Sequence, residues 1–475
     1  MTYSTIGDHV ELQRGTTYKS ALLDQPGPVL LGLGSIERDG GFRSDKLRTY
    51  GGPSAEKLLV RPGDLYVSLK DVTQAGDLLG AIARVPKSVS VGRMTQDTVK
   101  LIFKSDIPKE YFYWLLRTPQ YRQYCRSHAT GTTNLGLSRD DFFSFKIPDL
   151  DAEKRLLTDS LENLEAKIRT NHQINQTLEQ MAQAIFKSWF VDFEPVKAKI
   201  AALEAGGSEE DALLAAMQAI SGKSEAELTR LQAEQSEQYA ELRATAELFP
   251  SAMQDSELGE IPEGWEVAPL SAMVDLIGGG TPKKSESSFW NGDICWFSVK
   301  DVPSDGNVFV VDTEDKITEE GLNRSSTKLL PVGTTIITAR GTVGKLALTG
   351  VPTAMNQSCY GVVPSDESGP YLNYLRLSVG VDTLKRNTHG AVFDTITRST
   401  FDTVVQPRSC LPLRRRFEQA ISPMFEAIRN NLLQINSLSE ARDSLLPKLL
   451  SGELPVSDNG NQPIADSLKS LQEVE

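Results

Sequence analysis

Glycine-rich loops, histidines and cysteines are the usual means of holding phosphate, metal or cofactor, and here none falls in a working arrangement. A P-loop needs GxxxxGK followed by Ser or Thr. Gly341-Thr-Val-Gly-Lys345 sets its glycines too close and is followed by Leu346, so it reads as a turn between two strands. Gly278-Gly-Gly-Thr-Pro282 could cradle a phosphate on backbone amides, and reads equally as a turn or bulge. No GxGxxG follows a strand, so a dinucleotide or S-adenosylmethionine pocket is unsupported, and the Asn/Asp-Pro-Pro-aromatic motif of amino methyltransferases is absent. His9, His128, His172 and His389 are scattered without metal-ligand spacing. His128 and His389 stand just before matching glycine-containing loops and read as surface histidines. Cys125, Cys295, Cys359 and Cys410 form no CxxC pair, which argues against zinc and a disulfide scaffold and fits a reducing cytoplasm. Pro148-Asp-Leu-Asp-Ala-Glu-Lys154 superficially resembles a nuclease motif, but Glu and Lys lack the intervening residue and the stretch opens a helix. No catalytic residue and no metal site are expected.

The loops do carry side chains suited to reading nucleic acid. Arg and Lys contact phosphates or guanine, and Asn and Gln pair with adenine. The candidates are Arg14, Lys19, Lys70, Arg93, Gln96 and Asn134 in the first part of the chain. In the second they are Lys283, Lys284, Lys300, Arg340, Lys345, Asn356 and Gln357. The net charge of −13 argues against such a partner until its distribution is read. Residues 1–150 hold 20 basic and 16 acidic side chains, and residues 261–410 hold 13 and 17. The acidity concentrates in residues 151–260, with 10 and 21. Local patches on near-neutral globules therefore still permit DNA binding.

The elements that position these loops occur twice. A heptad frame runs Leu157, Leu161, Leu164, Ile168, Asn171, Asn175, Leu178, Ala182, Ile185, Trp189. Adding 260 gives Phe417, Ile421, Met424, Ile428, Asn431, Ile435, Leu438, Arg442, Leu445, Leu449. A 3.5-residue apolar repeat makes a seam that wants another helix. At 1.5 Å per residue each seam is roughly 50 Å long. The preceding globules repeat as well. Val10–Thr17 resembles Val274–Thr281, and Val60–Ser68 resembles Leu330–Thr338. Gly131, Leu137, Ser138, Arg139, Phe142 and Pro148 match Gly390, Ile396, Thr397, Arg398, Phe401 and Pro407 at a constant offset of 259. One globule-plus-helix unit is used twice. Between the copies, the segment after Phe193 predicts helices at about 209–220 and 224–246 and then a linker. Lys109 to Arg126 predicts one helix. No run approaches the roughly 18 to 20 apolar residues of a membrane span, and the opening MTYSTIGDHV is not a secretory signal.

Three stretches carry a family resemblance: SELGEIPEGWEV (256–267) leading into LSAMVDLIGGGTP (270–282); LPVGTTIITARGTVGKLAL (330–348) followed by MNQSCYGVV (355–363); and the helix ends at 172–196 and 435–456. Over roughly residues 1–456 the chain resembles the specificity (S) subunit of a type I restriction–modification enzyme. The resemblance implies an α+β fold, with two similar mixed α/β target-recognition domains separated by a long antiparallel two-helix coiled coil, a pseudo-twofold repeat. The expected ranges are recognition domains at 1–149 and 261–409, spacer helices at 150–195 and 410–455, an acidic helical segment and linker at 196–260, and a disordered tail at 456–475. It also implies a bipartite, asymmetric DNA site, one half read by each domain. Two modification (methyltransferase) subunits and restriction (translocase and nuclease) subunits are the implied partners. S-adenosylmethionine, ATP and Mg are expected in those partners, with no cofactor in this chain, no membrane partner and a cytoplasmic setting. The competing readings are a self-contained DNA methyltransferase and a coiled-coil protein adaptor.

Overall fold

The computed structural model describes residues 3–72, 75–132, 134–303, 307–387 and 395–451. His389, Gly390 and the tail 456–475 lie outside the described residues. The chain packs as two compact units, Met1–Arg169 with Asn436–Glu475, and Thr170–Ile435.

The first globule opens with β1 (Tyr3–Thr5), α1 (Ile6–His9) and β2 (Val10–Arg14), then β3 (Val29–Leu31), β4 (Leu59–Val60), β5 (Leu65–Ser68), β6 (Lys70–Asp71), β7 (Ile82–Arg84), β8 (Gly92–Met94) and β9 (Thr98–Phe103). Short runs of Val, Ile, Leu and Tyr bounded by Gly and Pro give strands. An antiparallel sheet in the order β2-β9-β5-β7 buries Leu65, Val67, Ile82 and Leu101 on one core. A second sheet, β3-β8-β4, joins β8 in parallel to β3 and antiparallel to β4. The single helix predicted at 109–126 is two, α2 (Lys109–Leu115) and α3 (Pro119–Ser127). Pro119 offers no amide and forces Thr118 into an extended conformation. Thr118 Oγ1 then caps α3 by accepting from Tyr121 N at 3.3 Å. Next come β10 (Leu135–Gly136), α4 (Arg139–Ser144) and β11 (Lys146–Pro148). β11 returns antiparallel to β1, with Tyr3 opposite Pro148.

Four residues later α5 (Ala152–Phe190) begins, capped by Asp151, whose Oδ1 accepts from Lys154 N at 2.8 Å. No Gly or Pro interrupts its 39 residues. Phe193, held left-handed at φ 56°, ends it and turns the chain into α6 (Glu194–Glu204), with Pro195 in its first turn. α7 (Glu209–Ser221) matches its expected range. The helix expected at 224–246 is split at Gln235 (φ −140°, ψ 62°) into α8 (Glu225–Glu234) and α9 (Ser236–Glu247). These helices share a small core of Leu213, Ala216, Met217, Leu228 and Ala246. The stretch expected as linker holds a hairpin, β12 (Met253–Ser256) and β13 (Gly259–Pro262).

The second globule runs β14 (Glu266–Pro269), β15 (Val274–Gly278), β16 (Trp290–Phe297), β17 (Phe309–Val310), β18 (Lys316–Ile317), α10 (Glu319–Asn323), β19 (Thr335–Thr338), β20 (Leu346–Thr349), β21 (Thr353–Met355), β22 (Cys359–Pro364), α11 (Pro370–Asn387), α12 (Arg398–Asp402) and β23 (Val405–Arg408). Its main sheet, β15-β22-β19-β20-β17, has the order of the first globule's with one strand added. β21 lies parallel to β16 as β8 does to β3, and β23 returns to β14 as β11 does to β1. The repeat read from the sequence is therefore a repeat of topology.

α13 (Leu411–Leu445) follows directly, and Pro447 separates it from α14 (Lys448–Ser451). α5 and α13 each contribute to both units. In the first unit Leu157, Leu161 and Leu164 bury with Leu445, Leu446 and Leu449, and Leu438 packs at the margin. Arg442 Nη1 donates to Glu165 Oε2 at 3.3 Å. In the second unit Asn171 Nδ2 donates to Gln434 Oε1 (2.7 Å) and Asn431 Nδ2 to Asn175 Oδ1 (2.8 Å). Rising numbers on one helix meet falling numbers on the other, so within each unit the two run antiparallel. Ile168, Ile421 and Ile428 are buried as the heptad frame requires. Leu178, Ile185 and Met424 are only half-buried, while Phe186, Phe425 and Leu432 are buried. An α-helix has 3.6 residues per turn, so a 3.5-residue frame drifts off the contact. Phe425 is in addition covered by the globule, stacked on Tyr371 at 4.6 Å.

Candidate nucleic-acid interface

In the first unit the C-terminal end of β2 meets the turn between β8 and β9. Register pairs Arg14 with Val99, and Thr16 bridges Thr95. Gly15 N donates to Thr98 O at 3.1 Å, and a Cβ on Gly15 would lie 2.0 Å from Thr95 O, so only glycine fits. Arg14 Nε approaches Gln96 O at 3.4 Å. Lys70, which opens β6, faces Asp97 at 3.5 Å. β6 pairs with β10, placing Gly136 opposite Lys70, and Asn134 is exposed on the loop before it. Arg14, Lys70 and Gln96 thus gather at one end of the sheet with their heads in solvent.

The second unit repeats this arrangement. Gly278 pairs with Tyr360. A Cβ on Gly279 would lie 1.9 Å from Asn356 O, and Gly280 N donates to Met355 O at 2.9 Å. Gly278 closes β15, and at Gly279 and Gly280 an added Cβ would collide with neighbouring residues, so these two positions serve close backbone approach. Thr281 Oγ1 donates to Gln357 Oε1. Strand register makes Met94-Thr95-Gln96 the equivalent of Met355-Asn356-Gln357, so Gln96 and Gln357 occupy one and the same place. Lys70 and Arg340 are a second such pair. Each lies two residues past the equivalent Ser68 or Thr338, and Arg340 bridges Thr395 as Lys70 pairs with Gly136.

The other candidates are placed differently. Arg93 is buried: its Nη2 donates to Thr16 Oγ1 and Thr17 O, both at 3.0 Å, and its guanidinium covers the Tyr50 ring at 4.8 Å. It holds the loop that carries Thr16. Lys19 is exposed farther along the same loop, as are Lys283 and Lys284 after Pro282. Lys300 pairs with Glu314 at 3.2 Å. Lys345 follows the tight turn at Gly344 and lines a cavity of about 570 Å³ with Gln176, Gln180 and Gln183 of α5. The side chain of Asn356 closes its own turn, Oδ1 accepting from Ser358 N at 2.9 Å. The reading of Gly341–Lys345 as a turn agrees with its place between β19 and β20.

A polar network fixes the first globule to α5, and sequence reasoning missed it. Glu162 accepts from Arg84 Nη1 at 2.9 Å and from the buried Trp114 Nε1 at 2.6 Å. A buried indole N–H needs such a partner, and no short motif announces a partner 48 residues away. Burial raises the Cys125 thiol to about 11 and the Cys359 thiol to about 12. Among the described residues no group of three His, Cys, Asp or Glu could hold a metal. No described helix is long and apolar enough to cross a membrane.

The family described as "Type I restriction modification DNA specificity domain" matches residues 262–404. The HindI specificity subunit of Haemophilus influenzae is 36% identical over 367 residues, 73% of this chain and 77% of that one. The MjaIX specificity subunit of Methanocaldococcus jannaschii is 27% identical over 38% of this chain and 42% of its own. The crystal structure of the S subunit from M. genitalium shares the fold, with TM-score 0.53 and 13% identity over 94% of this chain and 95% of that one. The chain belongs to the specificity subunits of type I restriction enzymes.

Proposed function

We propose that this chain reads a bipartite, asymmetric DNA site, one half with each globule, and positions catalytic subunits that it does not itself contain. The observation that carries this reading is the doubled sheet end, where Gln96 and Gln357, and Lys70 and Arg340, recur in equivalent places. Glutamine can make a paired contact with adenine and a cation can neutralise phosphate, so one such end suits one short run of base pairs. A specificity subunit is non-catalytic, and the family to which the chain belongs supports that reading here.

In this reading α5 and α13 form an antiparallel two-helix spacer that relates the readers by a pseudo-twofold axis. The globules then address opposite strands about one helical turn of DNA apart, 34–36 Å, and the intervening base pairs are not read. Two modification subunits dock on the helical part and methylate adenine with S-adenosylmethionine. Restriction subunits add ATP- and Mg-dependent translocation and cleavage. The complex works in the cytoplasm. A self-contained methyltransferase or a protein adaptor finds no support in the family to which the chain belongs.

The test is a genome-wide map of methylated adenines in cells with and without this chain, the catalytic subunits being present in both. A split motif that vanishes with the chain supports the reading. An unchanged map overturns it.

A further inference from the structure

The second unit carries a groove of about 420 Å³ between the end of α5, the β12–β13 hairpin and α11. Its walls are Phe186, Phe190, Phe193, Ile261 and Val404, and its rim includes Val191, Leu258 and Val379, which are 39%, 43% and 53% exposed. Apolar side chains left this accessible on a built groove mark a docking surface. The groove also has an electrostatic signature. Arg376 lies on the stripe of α11 that continues to Val379, Gly380 and Thr383, all lining residues. It is 4% exposed, and its Nη1 has no partner. Behind it Arg408 and Arg414 share one carboxylate oxygen, Asp366 Oδ2, the former at 3.1 Å. The Nε of each is likewise buried without a partner, as is Ser409 Oγ.

Three guanidinium groups therefore stand against one carboxylate, with four donor-bearing positions unsatisfied. Burial and the nearby Arg414 lower Arg376 to about 10, the direction expected of a cation short of counter-charge. A desolvated charge left unpaired is costly, so an anion completing the set would be strongly favoured. The equivalent place in the first unit has no such surplus. There Lys154, the counterpart of Arg414, is paired with Asp151, and Asp149 stands where Arg408 does.

Building on the reading of this chain as a subunit of a larger complex, we infer that this groove is a docking site, one per chain, for a partner-subunit segment that presents a bulky apolar side chain beside a carboxylate. The apolar walls accept the side chain and disfavour a bare phosphate backbone, while the arginines beneath supply the counter-charge. Glu260, the one acidic lining residue, is on the exposed rim and leaves the floor cationic.

The experiment titrates the modification subunit of the same system onto the full chain and follows assembly by analytical ultracentrifugation. Val379→Glu blocks the groove and offers the arginines a carboxylate in cis, and because Val379 is exposed the fold is retained. It should weaken assembly at least tenfold, with Val379→Met near wild type and Arg376→Gln weakened as well. A photo-crosslinking side chain at position 379 should then join a peptide carrying Asp or Glu within two residues of a bulky apolar residue. Unchanged affinity with Val379→Glu, or a crosslink to DNA or to a peptide without a carboxylate, overturns the inference. Site-specific methylation by the wild-type complex separates the two levels. If methylation is intact and the groove variant assembles normally, only the docking site falls. If wild type neither assembles nor methylates, both fall.

Discussion

Asn431 Nδ2 donates to Asn175 Oδ1 at 2.8 Å, joining α13 to α5 through two amides. One turn away Asn171 does the same with Gln434 at 2.7 Å. The equivalent residues Asn171 and Asn431 thus do not meet each other; antiparallel packing sends each to a different partner. Replacing Asn431 alone with Leu strands a buried Asn175 and should destabilise by about 1–3 kcal/mol. Replacing Asn175 and Asn431 together with Leu should be neutral or stabilising and should loosen register. Thermal unfolding of the single and double variants checks the first point, and disulfide trapping across the helices the second. A double variant as unstable as the single one would reject the register role.

Gln96 and Gln357 are expected to act on different halves of one site. Gln96→Ala should relax discrimination at one position of one half by about 1–3 kcal/mol, and Gln357→Ala should do so in the other half. Methylation mapping of each variant reads this directly. Relaxation in the same half for both would contradict the assignment of one reader per half.

Lys70 and Arg340 are expected to contact phosphate. Lys70→Ala or Arg340→Ala should weaken binding about equally for all sequences and lower the salt-dependence slope by about 1. Gel-shift titrations at several salt concentrations measure that slope. An unchanged slope, or a change in the motif, would remove them from the backbone-contacting set.

The spacer role sets a length. One heptad inserted into α5 and its counterpart into α13 adds about 10.5 Å at 1.5 Å per residue. The unread gap should then grow by roughly three base pairs at 3.4 Å each. A gap unchanged in the methylation map of such a variant would exclude the helices as the ruler.

Glu418 is raised by burial from the ordinary glutamate range to about 7, although both carboxylate oxygens accept backbone N–H groups of α11, at 3.1 Å from Tyr371 and 2.8 Å from Leu372. The folded state therefore holds this proton more tightly than the unfolded chain does. Its favourable contribution is complete below about pH 4.5 and is lost as pH rises toward about 7. Glu418→Gln should flatten the decline of the melting temperature between those values. An identical pH profile for the variant would show that Glu418 does not titrate there.

The sequence was most legible where spacing repeats. The 259–260 offset at the globule exits and through the helices identified the repeat, and the strand order reproduces it even where insertions shift the numbering within the sheets. Legibility stopped where a contact depends on chains meeting at a distance. The partners of Asn171 and Asn431 follow from antiparallel register, which the offset does not encode. Arg93 reads as an exposed cation, but in a three-residue strand the buried face cannot be told from the pattern, and it packs on Tyr50. Arg376 gave no signal, because β23 and α13, which carry Arg408 and Arg414, are brought to α11 only by tertiary packing.

The pairing of Tyr3 with Pro148, and of Glu266 with Arg408, brings the entrance and exit of each globule to adjacent strands. Everything between those points can be exchanged through two closely spaced junctions, with the helices left in place. Recombination at these junctions would transplant one half of a recognition sequence at a time. The architecture is in that sense a cassette holder, in which new DNA targets can arise by shuffling whole modules as well as by point mutation.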